Sequence, residues 1–423
     1  MRADPGRILR QSLLRNALHI MATTGVTSGL GYVYWVLAAR LFDQAAVGLA
    51  GALISAMIMS SLVCNLGITS TFIERLPRAA DNNAWSRIVT AGLVAATAAT
   101  ILGATVTAVV LPLVSDRTEV LHTWTGATLF VGGAAVWTVG MLLDYTYIAQ
   151  RAGSNMFLRN TAFSVLKIPL LFLPVLLATR TDRTALGIFA SWVEGAALSA
   201  ILGFALLGRL GRHYQPIFAG ITQELRGMLR SLAGHHLANL GAQLPAYLLP
   251  LVIVTQLSTE DNAFFYLTWM VGAIFFFVSP AVASSLFAEG SHEQVGLEAK
   301  VRQSALIIAA ILSAPMAGVL ATGGLVLRIF GADYPSHGRL LLVYLVLSAV
   351  PDACTNLAVA VLRVRGRLRL AAALNLGMSV VAIGLAIVLV PDQGIAGAGL
   401  AWLLAQSFGA MVVLVGWFRG RRS

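Results

Sequence analysis

The chain has 423 residues, 58% of them hydrophobic and only 11% charged, with a mean hydropathy of +0.81 and a formal net charge of +11. A soluble globular chain carries roughly 25% charged residues, so the composition excludes a water-soluble fold and makes a bilayer the solvent. The positive charge, which in a soluble protein would suggest nucleic acid, is explained below by membrane topology, and no nucleic-acid partner is expected.

A spanning helix needs about 20 mostly apolar residues, and twelve such runs are predicted at roughly 17–39, 46–72, 88–114, 124–149, 161–178, 185–207, 231–255, 263–287, 304–330, 340–362, 370–390 and 395–418. The runs are continuous rather than alternating, which predicts helices and not barrel strands. The first run follows a basic N-terminus. It is too long for a signal-peptide core and shows no small-residue cleavage site, so it is expected to stay in the mature protein. Gly25, Gly29 and Gly31 loosen it. Cys64 and Cys354 fall inside apolar runs, with neither metal-ligand spacing nor the prospect of a mutual disulfide. Outer loops such as "QLSTEDNA", "FGADYPSHG" and "VPDQG" are too short for a folded extracellular domain. In the second half, Pro245, Pro250, Pro280, Pro315 and Pro351 are expected to interrupt spans and let helices bend.

The cations set the orientation. With the N-terminus cytoplasmic, the inner segments hold 23 of the 29 lysines and arginines when Lys167, near the inner end of the run 161–178, is counted with them, leaving Arg40, Arg117, Arg180, Arg183, Arg328 and Arg339 outside. This positive-inside bias puts both termini in the cytoplasm and requires an even number of spans.

The longest polar connection, 208–230, contains an amphipathic segment predicted to lie on the membrane surface. It separates an N-terminal six-helix lobe, 1–207, from a C-terminal six-helix lobe, 231–423. The halves resemble each other. "LLRNALHIMATTG" (13–25) answers "MLRSLAGHHLANLG" (228–241), "GIFASWVEGA" from Gly187 answers "GAGLAWLLAQ" from Gly397, and Asp144 answers Asp352. A duplicated unit with an even number of helices keeps one orientation in both halves. The predicted fold is therefore an all-α integral membrane protein, with twelve transmembrane helices in two six-helix lobes related by a pseudo-two-fold axis along the membrane normal.

Polar residues inside spans face protein or water, because a bare charge at the bilayer centre costs about 2.5–3.5 kcal/mol. On a helix at 100° per residue, His236, Asn239 and Gln243 share an arc of about 60°, with His235 at its edge. Ser12, Arg15, His19 and Thr23 form a matching stripe in the first half. The candidate substrate-binding residues are Arg15, His19, Asn65, Arg75, His235, His236, Asn239 and Gln243. Their charge type favours an anion, since arginine pairs with phosphate and protonated histidine adds charge. Plainer readings stand beside these. Arg15 can anchor at headgroups, the histidines can be interfacial, and Asn65 can cap a broken helix or bridge helices. Asp144, Glu194 and Asp352 are candidates for coupling to H+ or Na+. Asp144 near the cytoplasmic end can instead pair with Arg151 or Arg159. There is no phosphate-binding loop, no zinc signature and no nucleophile elbow, so neither an ATPase, a cofactor, a metal site nor catalytic residues are expected.

The twelve spans, "LLRNAL" at the start of span 1, "ARLFDQAAVGLAGAL" (39–53) and "NLGITSTFIERLP" (65–77) resemble the polysaccharide-transporter branch of the multidrug/oligosaccharidyl-lipid/polysaccharide exporter superfamily. The resemblance covers essentially the whole chain. It implies a flippase of the bacterial plasma membrane, working by alternating access through a cationic cavity. Its substrate would be a polyprenyl-pyrophosphate-linked glycan, its surroundings membrane lipids, and its partners other polysaccharide-assembly proteins. Two alternatives remain. One is an ion-coupled multidrug or cation antiporter of the same superfamily, which calls for acidic groups that span 1 lacks. The other is a membrane polymerase or glycosyltransferase, which calls for a larger outer loop.

Overall fold

The computed structural model describes residues 5–176, 185–229, 233–292 and 296–420. These residues are helical almost throughout, and no strand occurs among them. The helices are α1 (Pro5–Leu41), α2 (Gln44–Cys64), α3 (Ile68–Arg75), α4 (Asn82–Val114), α5 (Trp124–Ala149), α6 (Gly153–Leu176), α7 (Ala185–Leu207), α8 (Ile221–Leu229), α9 (Ala233–Gln256), α10 (Thr259–Gly272), α11 (Val278–His292), α12 (Leu297–Arg328), α13 (Tyr334–Val364), α14 (Leu368–Gln393) and α15 (Ile395–Gly420). Among the described residues, 10 stretches are long and apolar enough to cross a bilayer, and α9 adds the shorter apolar stretch Leu240–Gln256. With α1, they account for the twelve predicted runs. The protein is an all-helical, multi-pass membrane protein.

Local chemistry sets where helices begin. The Asp81 and Thr123 side chains accept from the backbone N–H of Ala84 (2.7 Å) and Gly126 (3.0 Å), capping α4 and α5. Ser258 does the same for α10, accepting from Asp261 at 2.9 Å. Each cap satisfies an N–H that the helix itself leaves unpaired.

Two predicted spans are not single helices. The run over 46–72 breaks at Asn65–Gly67, where Leu66 (φ 52°) and Gly67 (φ 78°) take left-handed backbone. A leucine there costs of order 1–3 kcal/mol. Asn65 offsets part of that cost: its carbonyl accepts from Ile68 N at 3.0 Å and its side chain donates to Thr69 at 3.1 Å. The run over 263–287 passes through a 3-10 segment at Ala273–Phe276, just ahead of Pro280. By contrast, Pro245, Pro250, Pro315 and Pro351 lie within continuous helices.

The chain forms two compact units, Met1–Phe42 with Ala56–His236, and Asp43–Ser55 with Leu237–Ser423. In the first, Phe72 and Leu76 pack with Trp85 and Ile88 of α4, Leu142 and Tyr147 of α5, Leu206 of α7 and Met228 of α8. The 208–229 connection belongs to this unit. The Asn82 side chain donates to the His213 carbonyl at 2.7 Å, and α8 turns Ile221, Leu225 and Met228 onto the same core. The apolar side of this amphipathic helix thus packs on protein, with Met228 buried and Ile221 and Leu225 half-buried.

In the second unit, α13 packs against α10, α11, α12, α14 and α15. Residues 43–55, the start of α2, join this unit through glycine. A Cβ at Gly48 would lie 1.7 Å from the Thr259 carbonyl oxygen, and the Gly48 carbonyl accepts from the Asn262 side chain at 2.6 Å.

Candidate functional site

The polar interior of the first unit is built on α5, α6 and α7. Arg159 donates from Nε to Asp144 Oδ1 at 2.7 Å and from Nη2 to Asp144 Oδ2 at 2.5 Å. It also reaches Ser199 and Asn160. Both ends of the pair are nearly buried, at 8% and 14% exposure. Glycines make the room. A Cβ at Gly140 would lie 2.9 Å from the Arg159 guanidinium, and one at Gly203 would lie 3.1 Å from its Cδ. Of the two partners the sequence offers Asp144, the structure selects Arg159. Arg151 instead turns the corner after α5 with φ 55°.

Midway along α6 lies a cation that the sequence analysis counted among the inner, topological ones. Lys167 is 4% exposed. Its Nζ sits 4.9 Å from the Tyr34 ring centroid, 4.7 Å from Phe163 and 5.3 Å from Trp192. All three distances fall inside the roughly 6 Å at which a ring face attracts an ammonium. No carboxylate lies within ion-pair distance of it among the described residues. The cage is rigid. Tyr34 donates its hydroxyl to the Ile188 carbonyl at 3.0 Å, and Trp192 packs on Phe163 and Trp137 with centroids 5.0 and 4.8 Å apart. Gly195 lets α6 and α7 meet here, since a Cβ on it would stand 3.0 Å from Lys167 Cβ. The signal was present in the sequence: the chain has 27 arginines and only two lysines, Lys167 and Lys300.

Arg75, at the end of α3, pairs with Glu224 of α8 at 2.7 Å, with 31% and 17% of the side chains exposed. Its Nη1 is buried without a partner among the described residues. Asn65 is 3% exposed and engaged at the helix break. His19 is half-buried, edge-on to Phe157 with centroids 6.5 Å apart. Thr23 turns its hydroxyl back to the His19 carbonyl at 2.7 Å. Glu194 is exposed on α7, and Gln243 is exposed on α9. The side chains of Ser12, Arg15, His235, His236 and Asn239 lie outside the described residues.

In the second unit, Asp352 of α13 is 7% exposed. Its Oδ2 accepts from Ser279 at 2.5 Å and from the Asn356 side chain at 3.0 Å. Asn356 also donates to Ser279 at 3.1 Å. Asp144 and Asp352, which answer each other in the sequence, therefore carry different chemistry: one faces a guanidinium, the other a hydroxyl and an amide. The matched tryptophans are more alike. Trp402 packs on Trp269 and Phe276, with centroids 5.5 and 5.7 Å apart. The indole N–H of Trp192 and that of Trp402 are both buried without an acceptor among the described residues.

No protein-family model and no curated protein sequence matches the chain. Solved structures do. An inward-facing multidrug resistance MATE family transporter of the MOP superfamily superposes with a TM-score of 0.74 at 17% identity, over 95% of this chain and 98% of that one. The lipid II flippase MurJ, in an inward closed conformation, gives 0.73 at 12% identity, over 94% of this chain and 87% of that one. A MATE structure in complex with MaL6 gives 0.65 at 16% identity, over 97% and 95%. The chain thus has the all-α, twelve-helix, two-lobe fold of MOP-superfamily transporters. At these identities, the likeness establishes the fold.

Proposed function

We propose that the protein is a flippase that moves a polyprenyl-pyrophosphate-linked oligosaccharide from the inner to the outer leaflet of a bacterial plasma membrane by alternating access, for cell-surface polysaccharide synthesis. The observation that carries this reading is the uncompensated cation inside the first unit. Among the described residues Lys167 has no carboxylate partner, and Arg159 already absorbs Asp144. An interior with net positive charge suits an anionic headgroup and repels a cationic drug. Arg15, His19, His235 and His236 are the residues proposed to meet the pyrophosphate, with Asn239 and Gln243 as hydrogen-bonding neighbours. Arg75 contributes only when released from Glu224. Both termini are proposed to be cytoplasmic, and the energy to come from H+ or Na+ through Asp352. Membrane lipids and other polysaccharide-assembly proteins are the proposed partners. The fold shared with a lipid II flippase supports the reading.

The test is reconstitution. Proteoliposomes carrying a fluorescent polyprenyl-diphosphate glycan should expose it to a membrane-impermeant quencher faster than protein-free vesicles do. Equal rates would overturn the proposal. A second reading, an ion-coupled multidrug antiporter, is favoured by the MATE likeness and by the exposed Glu194. Gradient-driven efflux of ethidium from the same vesicles, with no glycan movement, would decide for it.

A further inference from the structure

We propose that Lys167 is a proton-binding site of the transport cycle, holding H+ as an ammonium in one state and giving it up to water in another. The inference rests on the reading of the chain as a transporter, though not on a glycan lipid as its cargo. Its basis is the composition of the cage. An ammonium taken out of water costs several kcal/mol unless it is paired. The three aromatic faces return about 0.5–2 kcal/mol each. Those faces offset only part of that cost, because they place no negative charge beside the ammonium among the described residues, whereas the neutral amine enters the same apolar cage without the charge's desolvation cost.

The groups around it are accounted for. Of the titratable side chains on α1, α5 and α7, Tyr34 sets its ring over Lys167, and its hydroxyl is engaged by Ile188. His19 of α1 lies against Phe157. Asp144 of α5 is bound to Arg159, the other charge on α6, and Tyr147 of α5 donates to the Gly203 carbonyl. Glu194 of α7 is exposed and outside ion-pair distance. The buried indole N–H of Trp192 is a donor in the same cage, of the kind that water satisfies. On release, an N–H bond of the ammonium breaks, its electron pair stays on Nζ, and the proton leaves on a water molecule as hydronium. Binding is the reverse.

The choice of residue fits. Arginine serves nearly every other cationic position in the chain, and arginine does not deprotonate in proteins. Lysine appears where a removable proton is useful.

With only two lysines, the 423-residue chain labelled with 15N-lysine gives two Nζ resonances, Lys167 and Lys300. The Lys167 resonance should move upfield as the pH is raised through the range over which transport is active. Distances between spin labels, one on each unit, should shift with pH in the parent protein, and Lys167→Arg should diminish that shift. A Lys167 resonance that remains charged throughout, or a pH response undiminished by Lys167→Arg, overturns the proposal. If Lys167→Arg does not fold, Lys167→Met and the titration of the unaltered protein still decide. Neither readout uses a glycan, so failure of the flippase assay leaves this result standing by itself.

Discussion

Arg159 and Asp144 are joined by two parallel charge-assisted hydrogen bonds, 2.7 and 2.5 Å long, between α6 and the C-terminal end of α5. The forked geometry fixes the two helices at one register. Removing one partner strands the other charge, which costs about 3–5 kcal/mol when the pair is buried. Arg159→Met and Asp144→Leu should each lower the thermal unfolding midpoint in detergent strongly. The double substitution should be milder than either single one. Additive losses would show that the pair is not a unit.

The start of α2 should be intolerant of side chains at Gly48. A Cβ there meets the Thr259 carbonyl at 1.7 Å, whereas one at Gly51 meets the Tyr266 ring at 3.1 Å. Gly48→Ala is expected to destabilise by about 1–3 kcal/mol, the usual range for overpacking, and Gly51→Ala by less. Thermal unfolding of the two variants checks the order.

Glu224 holds α8 to α3 through Arg75. A partly exposed pair of this kind contributes about 1 kcal/mol or less. Glu224→Gln should leave the fold intact while speeding amide hydrogen exchange across Ile221–Leu229. The reversed pair, Arg75→Glu with Glu224→Arg, should slow exchange again.

Arg15→Ala, or His235→Ala together with His236→Ala, should abolish surface glycan export with normal amounts of folded protein in the membrane. Unchanged glycan in these strains would remove the anion-recognition mechanism.

Asp352→Asn keeps an oxygen acceptor for Ser279 and Asn356 but carries no charge. It should retain the unfolding midpoint and lose the response of transport to an imposed H+ or Na+ gradient. A retained gradient response would dismiss Asp352 as the coupling group.

Much of this architecture was legible along the chain. The apolar runs are as long as the bilayer requires, so α4, α5, α7, α12, α13, α14 and α15 fall where hydropathy places them. The break at Asn65 was visible in "NLG" only as an alternative, because a left-handed leucine has no sequence signature. The packing of α8 on protein was not legible at all. An amphipathic helix reads the same whether its apolar side meets lipid or the core around Trp85. Lys167 escaped notice because a positive charge near the inner end of a span is normally topological. Its rarity in an arginine-rich chain was the available clue.

By itself, the sequence determined the solvent, the helices and the asymmetry of positive charge, since each is written in runs of neighbouring residues. Only the tertiary structure decided which charges are neutralised: Arg159 rather than Arg151 for Asp144, Glu224 for Arg75, and ring faces in place of a carboxylate for Lys167. A buried charge answers to whatever the adjoining helix presents. Where helices adjoin is set by small residues such as Gly140, Gly195 and Gly203, whose missing side chains let partners far apart in the chain come within reach.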